Sequence, residues 1–192
     1  VDVPTSIASI TKLMTAMVTL DAELDLNEEV VIGSEDVDRL KGTGSRLALG
    51  TRLTREELLH LALIASENRA AAALSRAYPG GREAFIAAMN RKAREVGMKD
   101  SRFVDGTGLN SNNRATAADL VKMVEAAYRY PLIRQITSSG SYDVSVKLTN
   151  TGDTQLTGLQ FTTEASTGIT ASVVNNGDTT LTLWDLVSRR EL

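Results

Sequence analysis

The chain has 192 residues, 42% of them hydrophobic and 23% charged, which suits one sizeable core and excludes wholesale disorder. A net charge of −3 argues against a nucleic-acid binder, and no apolar run nears the roughly 18–20 residues of a bilayer span, so no transmembrane segment is expected. The absence of cysteine and the presence of one histidine, His60, exclude disulfide scaffolds, thiol catalysis and multi-histidine metal sites, and disfavour a Ser-His-Asp triad.

Val1-Asp2-Val3-Pro4 lacks the basic stretch and apolar core of a signal peptide, which leaves either a cytoplasmic chain or one whose export signal lies outside this sequence. Ile10, Leu13, Met14, Met17 and Leu20 recur at helical spacing. Thr54-Arg55-Glu56-Glu57 reads as a capping box that opens a helix through Leu58–Ile64, and Arg69–Leu74 has high helix propensity. Pro79-Gly80-Gly81 breaks the chain before a helix from about Arg82 to Val96, stopped at Gly97. Thr116 with Asp119 marks another helix start, running to about Tyr130. Near Thr137 the pattern changes to alternation. Tyr142, Val144, Val146 and Leu148 share one face of a strand, and Leu159 and Phe161 suggest another. Ile169–Val174, an Asn175-Asn176-Gly177-Asp178 turn and Thr179–Leu183 read as a hairpin, with a short helix possible in Trp184–Leu192. With no long linker and no internal repeat, a helical block beside a late strand block predicts a single α+β domain over residues 1–192, helical over about 9–136 and strand-rich over about 140–185. The bland readings place His60 in helix packing, Glu28-Glu29 and Glu35, Asp36 and Asp38 on solvated acidic faces, and Trp184 in a core or as a C-terminal anchor.

Two short motifs carry chemistry. Ser9 and Lys12 lie one helical turn apart at the start of an apolar helix. A serine hydroxyl needs a base to become nucleophilic, and a desolvated lysine can be that base. The helix N-terminus adds backbone donors suited to an oxyanion. Ser66-Glu67-Asn68 offers a hydroxyl that can relay a proton and an amide that can hold a carbonyl or steady a lysine. Each motif alone is common by chance, with serine as a cap and lysine in solvent. No phosphate loop or metal-ligand cluster is present, and no metal or cofactor is expected.

Taken with their surroundings, the motifs are specific. Ile7–Val18 resembles the active-site segment of the low-molecular-mass penicillin-binding proteins, and Leu61–Ala72 resembles their second motif. The likeness is strongest to the D-alanyl-D-alanine endopeptidase branch, and the carboxypeptidases belong to the same family. It continues through Tyr78–Gly81, Phe85–Asn90, Gly97-Met98, Ser101–Val104, Thr107–Leu109 and Tyr130–Ile133, in family order from Ile7 to about Ile136. The resemblance implies a fold similar to serine β-lactamases, with a helical block packed on an antiparallel sheet. It implies hydrolysis of D-alanyl peptide bonds in peptidoglycan peptides through an acyl-enzyme, covalent inhibition by β-lactams, and a periplasmic or other extracytoplasmic location. Carried over residue by residue, Ser9 is the nucleophile, Lys12 the general base, Ser66 a proton relay and Asn68 a substrate contact.

The third family motif, Lys-Thr-Gly, does not occur. Its best counterpart is Leu156-Thr157-Gly158, followed two residues late by Phe161–Ser166 where the family has Phe-Thr-x-Glu-Ala-Gly, and by a stretch similar to the closing hairpin. On this placement Thr157 and Gly158 bind substrate, the backbone N–H groups of Leu159 and Ser9 form an oxyanion hole, and Leu156 replaces the lysine; Thr157-Gly158 reads equally as a plain strand-and-turn pair. Ser166-Thr167-Gly168 leaves no room for the Phe-Thr segment, and Lys147 on the preceding strand is another possible source of charge. The usual strands before the Ser-x-x-Lys helix are expected to be missing, and the stretch from Ile136 to Thr157 is short. Leu148–Thr154 is similar to strand-turn sequence of secreted immunoglobulin-like modules. The missing lysine predicts an impaired DD-peptidase. The alternatives are a non-catalytic or engineered DD-peptidase-like scaffold or a peptidoglycan-binding module, and a β-lactamase, whose deacylating carboxylate has no recognisable motif here.

Overall fold

The computed structural model describes residues 3–139 and, beyond them, the backbone of three strands at 144–149, 169–173 and 178–183. The chain divides into two compact units, Val1–Ser139 and Gly140–Leu192.

In the first unit, strand β1 (Thr5–Ser6) leads through a single 3-10 turn (Ala8–Ile10) into helix α1 (Thr11–Asp21). Strands β2 (Glu29–Val31) and β3 (Arg52–Thr54) pair antiparallel, followed by helices α2 (Arg55–Ile64), α3 (Asn68–Arg76) and α4 (Gly81–Glu95). Strand β4 (Arg114–Ala115) returns to pair with β1, with Thr5 opposite Ala115, before helices α5 (Ala117–Ala127) and α6 (Pro131–Thr137).

Helix α1 lies at the centre, in contact with α2, α3, α4 and α5. Its Met14 and Met17 are wholly buried, as are Leu58 and Leu59 of α2, Phe85 and Met89 of α4 and Met123 of α5. Helix α3 is buried at Ala70, Ala71 and Ala73, and short side chains on several faces let its neighbours approach closely. The Thr54 capping box forms as expected: the Glu57 N–H donates to Thr54 Oγ1 at 3.1 Å and the Thr54 N–H to Glu57 Oε2 at 2.7 Å. Helix α4 stops before Gly97, whose φ of +81° is the left-handed conformation expected of a helix-ending glycine. Thr116 caps α5 through the Asp119 N–H, and that helix ends at Ala127. A further helix then follows as α6, with Pro131 in its first turn, where a missing N–H costs nothing.

His60 is buried in α2, as its apolar neighbours require. The solvated-face reading fails for Asp36. Its side chain is fully buried and takes Arg76 Nε at 2.9 Å, Arg76 Nη2 at 2.8 Å, Arg82 Nη2 at 3.0 Å and the Gly33 N–H at 2.9 Å. A buried carboxylate needs such partners, and the two arginines arrive from α3 and α4, some 40 residues away in sequence. Glu28 and Glu29 are exposed, as expected, although Glu28 also pairs with the buried Arg55.

In the second unit, β5 (Val144–Thr149), β6 (Ile169–Val173) and β7 (Asp178–Leu183) form an antiparallel sheet in the order β5-β7-β6. Val144 stands opposite Leu183 and Ile169 opposite the same residue, so β7 is central. The hairpin expected around Asn175–Gly177 is present as the β6–β7 pair. The turn itself, the expected strand at Leu159–Phe161, Trp184 and the C-terminal helix lie outside the described residues. With helices and antiparallel pairs together, the chain is α+β.

Candidate active site

The 3-10 turn before α1 presents the Ser9 side chain at the surface, and Lys12, one turn on, is 2% exposed. The junction of α2 and α3 supplies the opposite wall. Helix α2 ends at Ile64, and Ser66 takes a φ of +53°, a conformation that a β-carbon makes costly by about 1–3 kcal/mol. That backbone turn brings Ser66 Oγ within 2.8 Å of Ser9 Oγ. Glu67 caps α3 by accepting from the Arg69 N–H, and Asn68 begins the helix with its side chain turned to Lys12.

Lys12 Nζ has three oxygen neighbours: Thr107 O at 2.7 Å, Asn68 Oδ1 at 2.8 Å and Ser9 Oγ at 3.3 Å. The carbonyl and amide oxygens can only accept. A neutral amine that donates its two N–H groups to them keeps its lone pair towards Ser9, where it can take the hydroxyl proton. Burial lowers the lysine pKa from 10.5 to about 8, against the opposing pull of Glu67 and Asp105.

Thr107 is held by a loop built on Asp105. The Asp105 carboxylate accepts from the N–H groups of Thr107 at 2.7 Å, Gly108 at 2.6 Å and Asn110 at 2.8 Å. Asn113, fully buried, accepts from Val104 N–H at 2.8 Å, and its own carbonyl takes the Ile7 N–H, joining this loop to the segment before Ser9. Gly108 has a φ of +84°, and a β-carbon there would sit 2.0 Å from the Ala8 carbonyl oxygen, so only glycine lets the loop close against the Ser9 turn.

A second loop, from Asp38 to Leu47, covers the Glu67-Asn68-Arg69 stretch. Asn68 Nδ2 donates to Thr43 Oγ1 at 3.1 Å, Ser45 Oγ donates to Glu67, and Arg69 donates to the Leu47 carbonyl. Asp38 shapes the loop by accepting from Leu40 N–H, Lys41 N–H, Thr43 N–H and Thr43 Oγ1.

The four residues singled out by sequence, Ser9, Lys12, Ser66 and Asn68, therefore converge from two helix starts and one helix junction. Thr157, Gly158 and Leu159, with Leu156, lie outside the described residues. The backbone of Lys147 stands opposite Thr180 in the β5–β7 ladder. Sequence reasoning did not find the Thr107 carbonyl, Asp105, Asn113, Asp38 or Thr43 as parts of the site. The turn-forming run Asp105-Gly106-Thr107-Gly108 was the available signal for the first loop. Among the described residues, no acidic or histidine cluster is placed to hold a metal, and no helix is long and apolar enough to cross a membrane.

The family of D-alanyl-D-alanine carboxypeptidases matches residues 1–179. A D-alanyl-D-alanine endopeptidase of Escherichia coli is 49% identical over 138 residues, covering 72% of this chain and 44% of the relative. One from Pseudomonas aeruginosa is 45% identical over 149 residues, covering 78% of this chain and 48% of the relative. The chain thus spans a little under half the length of these relatives. The solved structure of a D-alanyl-D-alanine carboxypeptidase from Mycobacterium tuberculosis superposes with a TM-score of 0.66 and 27% identity, covering 95% of this chain and 74% of that one.

Proposed function

The chain belongs to the D-alanyl-D-alanine carboxypeptidase family, and from that premise we propose that it is a serine DD-peptidase acting on peptidoglycan peptides. Ser9 attacks the D-alanyl carbonyl, its proton passes to neutral Lys12, and the resulting acyl-enzyme is released by water or an amine. Ser66, hydrogen-bonded to Ser9, relays the proton taken up by Lys12 to the departing amine, which regenerates the neutral lysine, and Asn68 contacts the peptide. The observation that carries this reading is the buried Lys12 amine, held by two acceptor-only oxygens and left with Ser9 as its third neighbour.

Thr157 and Gly158 complete the substrate pocket in this proposal, with the N–H groups of Ser9 and Leu159 as the oxyanion hole. Support comes from sequence order and from a family match that runs to residue 179. That match crosses both compact units, and it supports one domain; two separate unfolding transitions would count against it. The relatives' activity also supports an extracytoplasmic setting, where peptidoglycan lies.

Incubation with a β-lactam and intact-mass spectrometry test the reading. The parent should gain one covalent adduct and Ser9→Ala none, and equal labelling of the two would overturn it. A non-catalytic, peptidoglycan-binding role is the second reading, favoured by the lack of a Lys-Thr-Gly in the sequence. Absence of any adduct on the parent would select it.

A further inference from the structure

The Asn68 amide has two ends that look alike in shape and opposite in chemistry, so its partners decide which way it faces. Its Oδ1 receives Lys12 Nζ at 2.8 Å, and its Nδ2 donates to Thr43 Oγ1 at 3.1 Å. A threonine hydroxyl can donate or accept, and by itself would tolerate either orientation. Here the Thr43 hydroxyl hydrogen is directed to Asp38 Oδ2 at 2.7 Å. Burial works against the Asp38 charge, but the backbone and hydroxyl donors of Thr43, with Lys41 and Leu40, hold its carboxyl below the usual carboxylate range. Asp38 is therefore ionised at neutral pH and can only accept. That leaves Thr43 Oγ1 as an acceptor towards Asn68.

We propose that Thr43 and Asp38 are positioning residues, which fix the Asn68 amide so that its oxygen faces Lys12 and the Lys12 lone pair stays on Ser9. The inference rests on the Ser9–Lys12 reading above. Its physical content is the consequence of a flipped amide. With Nδ2 turned to Lys12, the amide would donate into the lysine lone pair and withdraw it from Ser9. The same flip would set Asn68 Oδ1 against the Thr43 oxygen, acceptor to acceptor. The Asp38–Thr43 pair excludes that state, while one Nδ2 hydrogen of the unflipped amide stays available to a ligand. The loop is anchored on either side of Asn68 as well, by Ser45 on Glu67 and by the Leu47 carbonyl on Arg69.

The test compares Thr43→Val and Thr43→Ser with the parent, by NMR titration of the Lys12 Cε and by the pH profile of β-lactam acylation. Thr43 is exposed, so valine leaves the core untouched. Loss of the hydroxyl frees the amide to flip, which removes an acceptor from the ammonium form and gives the neutral amine a donor. The Lys12 midpoint should then fall by about one pH unit below its value of about 8, and the acylation plateau by about tenfold. Thr43→Ser should restore both. Glu67 and Asp105, the charged groups that act on Lys12, are unchanged in all three proteins. A merely structural role predicts the opposite movement, since a loosened pocket admits water and raises the midpoint towards the ordinary lysine value. A midpoint that rises or stays fixed in Thr43→Val overturns the proposal. If the parent is never acylated, the Ser9 reading fails, and the Lys12 titration still decides the role of Thr43.

Discussion

Between pH 6 and pH 8 the rate at which a β-lactam acylates this protein should climb about fiftyfold. The basis is the Lys12 pKa of about 8, lowered from 10.5 chiefly by burial and partly restored by Glu67 and Asp105. If only the neutral amine accepts the Ser9 proton, the competent fraction is about 1% at pH 6, about a tenth at pH 7 and about half at pH 8. Above pH 9 the rate should level off. A lysine at its ordinary pKa would instead keep gaining about tenfold per pH unit through pH 9. Lys12→Arg keeps the charge but cannot deprotonate in this range, and should lose at least a hundredfold of the acylation rate. The same depressed pKa has a stability consequence. The unfolded chain binds the proton more tightly, so between about pH 8 and 10.5 the unfolded state carries more protons and stability rises with pH. For Lys12 the full rise is about 3 kcal/mol, complete only above the unfolded value. Relative to Lys12→Met, the parent should therefore gain stability in urea melts across that window. An acylation rate flat from pH 6 to 9, an arginine variant as fast as the parent, or no relative gain in the alkaline melts would refute the neutral-base reasoning.

The lysine missing from the third motif should limit activity. A substrate carboxylate without its charged partner forfeits about 1.5–3 kcal/mol, so Leu156→Lys should raise acylation roughly ten- to hundredfold, less at high salt, in a stopped-flow or gel-labelling assay; a well-folded variant acylating no faster than the parent would refute the register or assign the charge to Lys147. Asp36→Ala strands Arg76 and Arg82, both partly exposed, and should lower stability by about 2 kcal/mol in denaturant melts; a change under about 0.5 kcal/mol would show that the buried carboxylate is not the tie between the β2 segment and helices α3 and α4. Ser9→Ala should melt like the parent, because the exposed hydroxyl it removes supports no core contact.

What was legible in the sequence is what depends on neighbours along the chain. The Thr54 capping box needs residues three apart, the α4 stop needs one glycine, and the Ser9–Lys12 pairing needs one helical turn. Each appears as expected. The β6–β7 hairpin was readable for the same reason. The short strands at 5–6 and 114–115 were not, because two residues carry no period and their pairing spans over a hundred positions. Helix α6 was missed because Pro131 reads as a breaker unless it falls in a first turn.

The sequence by itself determined which groups are candidates for chemistry: two serines, a lysine and an amide, on helix starts and a junction, with no thiol among them. Only the tertiary structure decided what those groups are. Lysine is a solvated cation by default. It becomes a candidate base here because α2, α3 and α4 pack around α1 and bury it, and because Thr107 and Asn68 supply acceptors from 95 and 56 residues away. Asp36 and Asp38 look alike in sequence, yet one is buried under two arginines and the other shapes the loop over Asn68. Desolvation and hydrogen-bond direction are set by atoms that folding brings near, and no local stretch of sequence contains them.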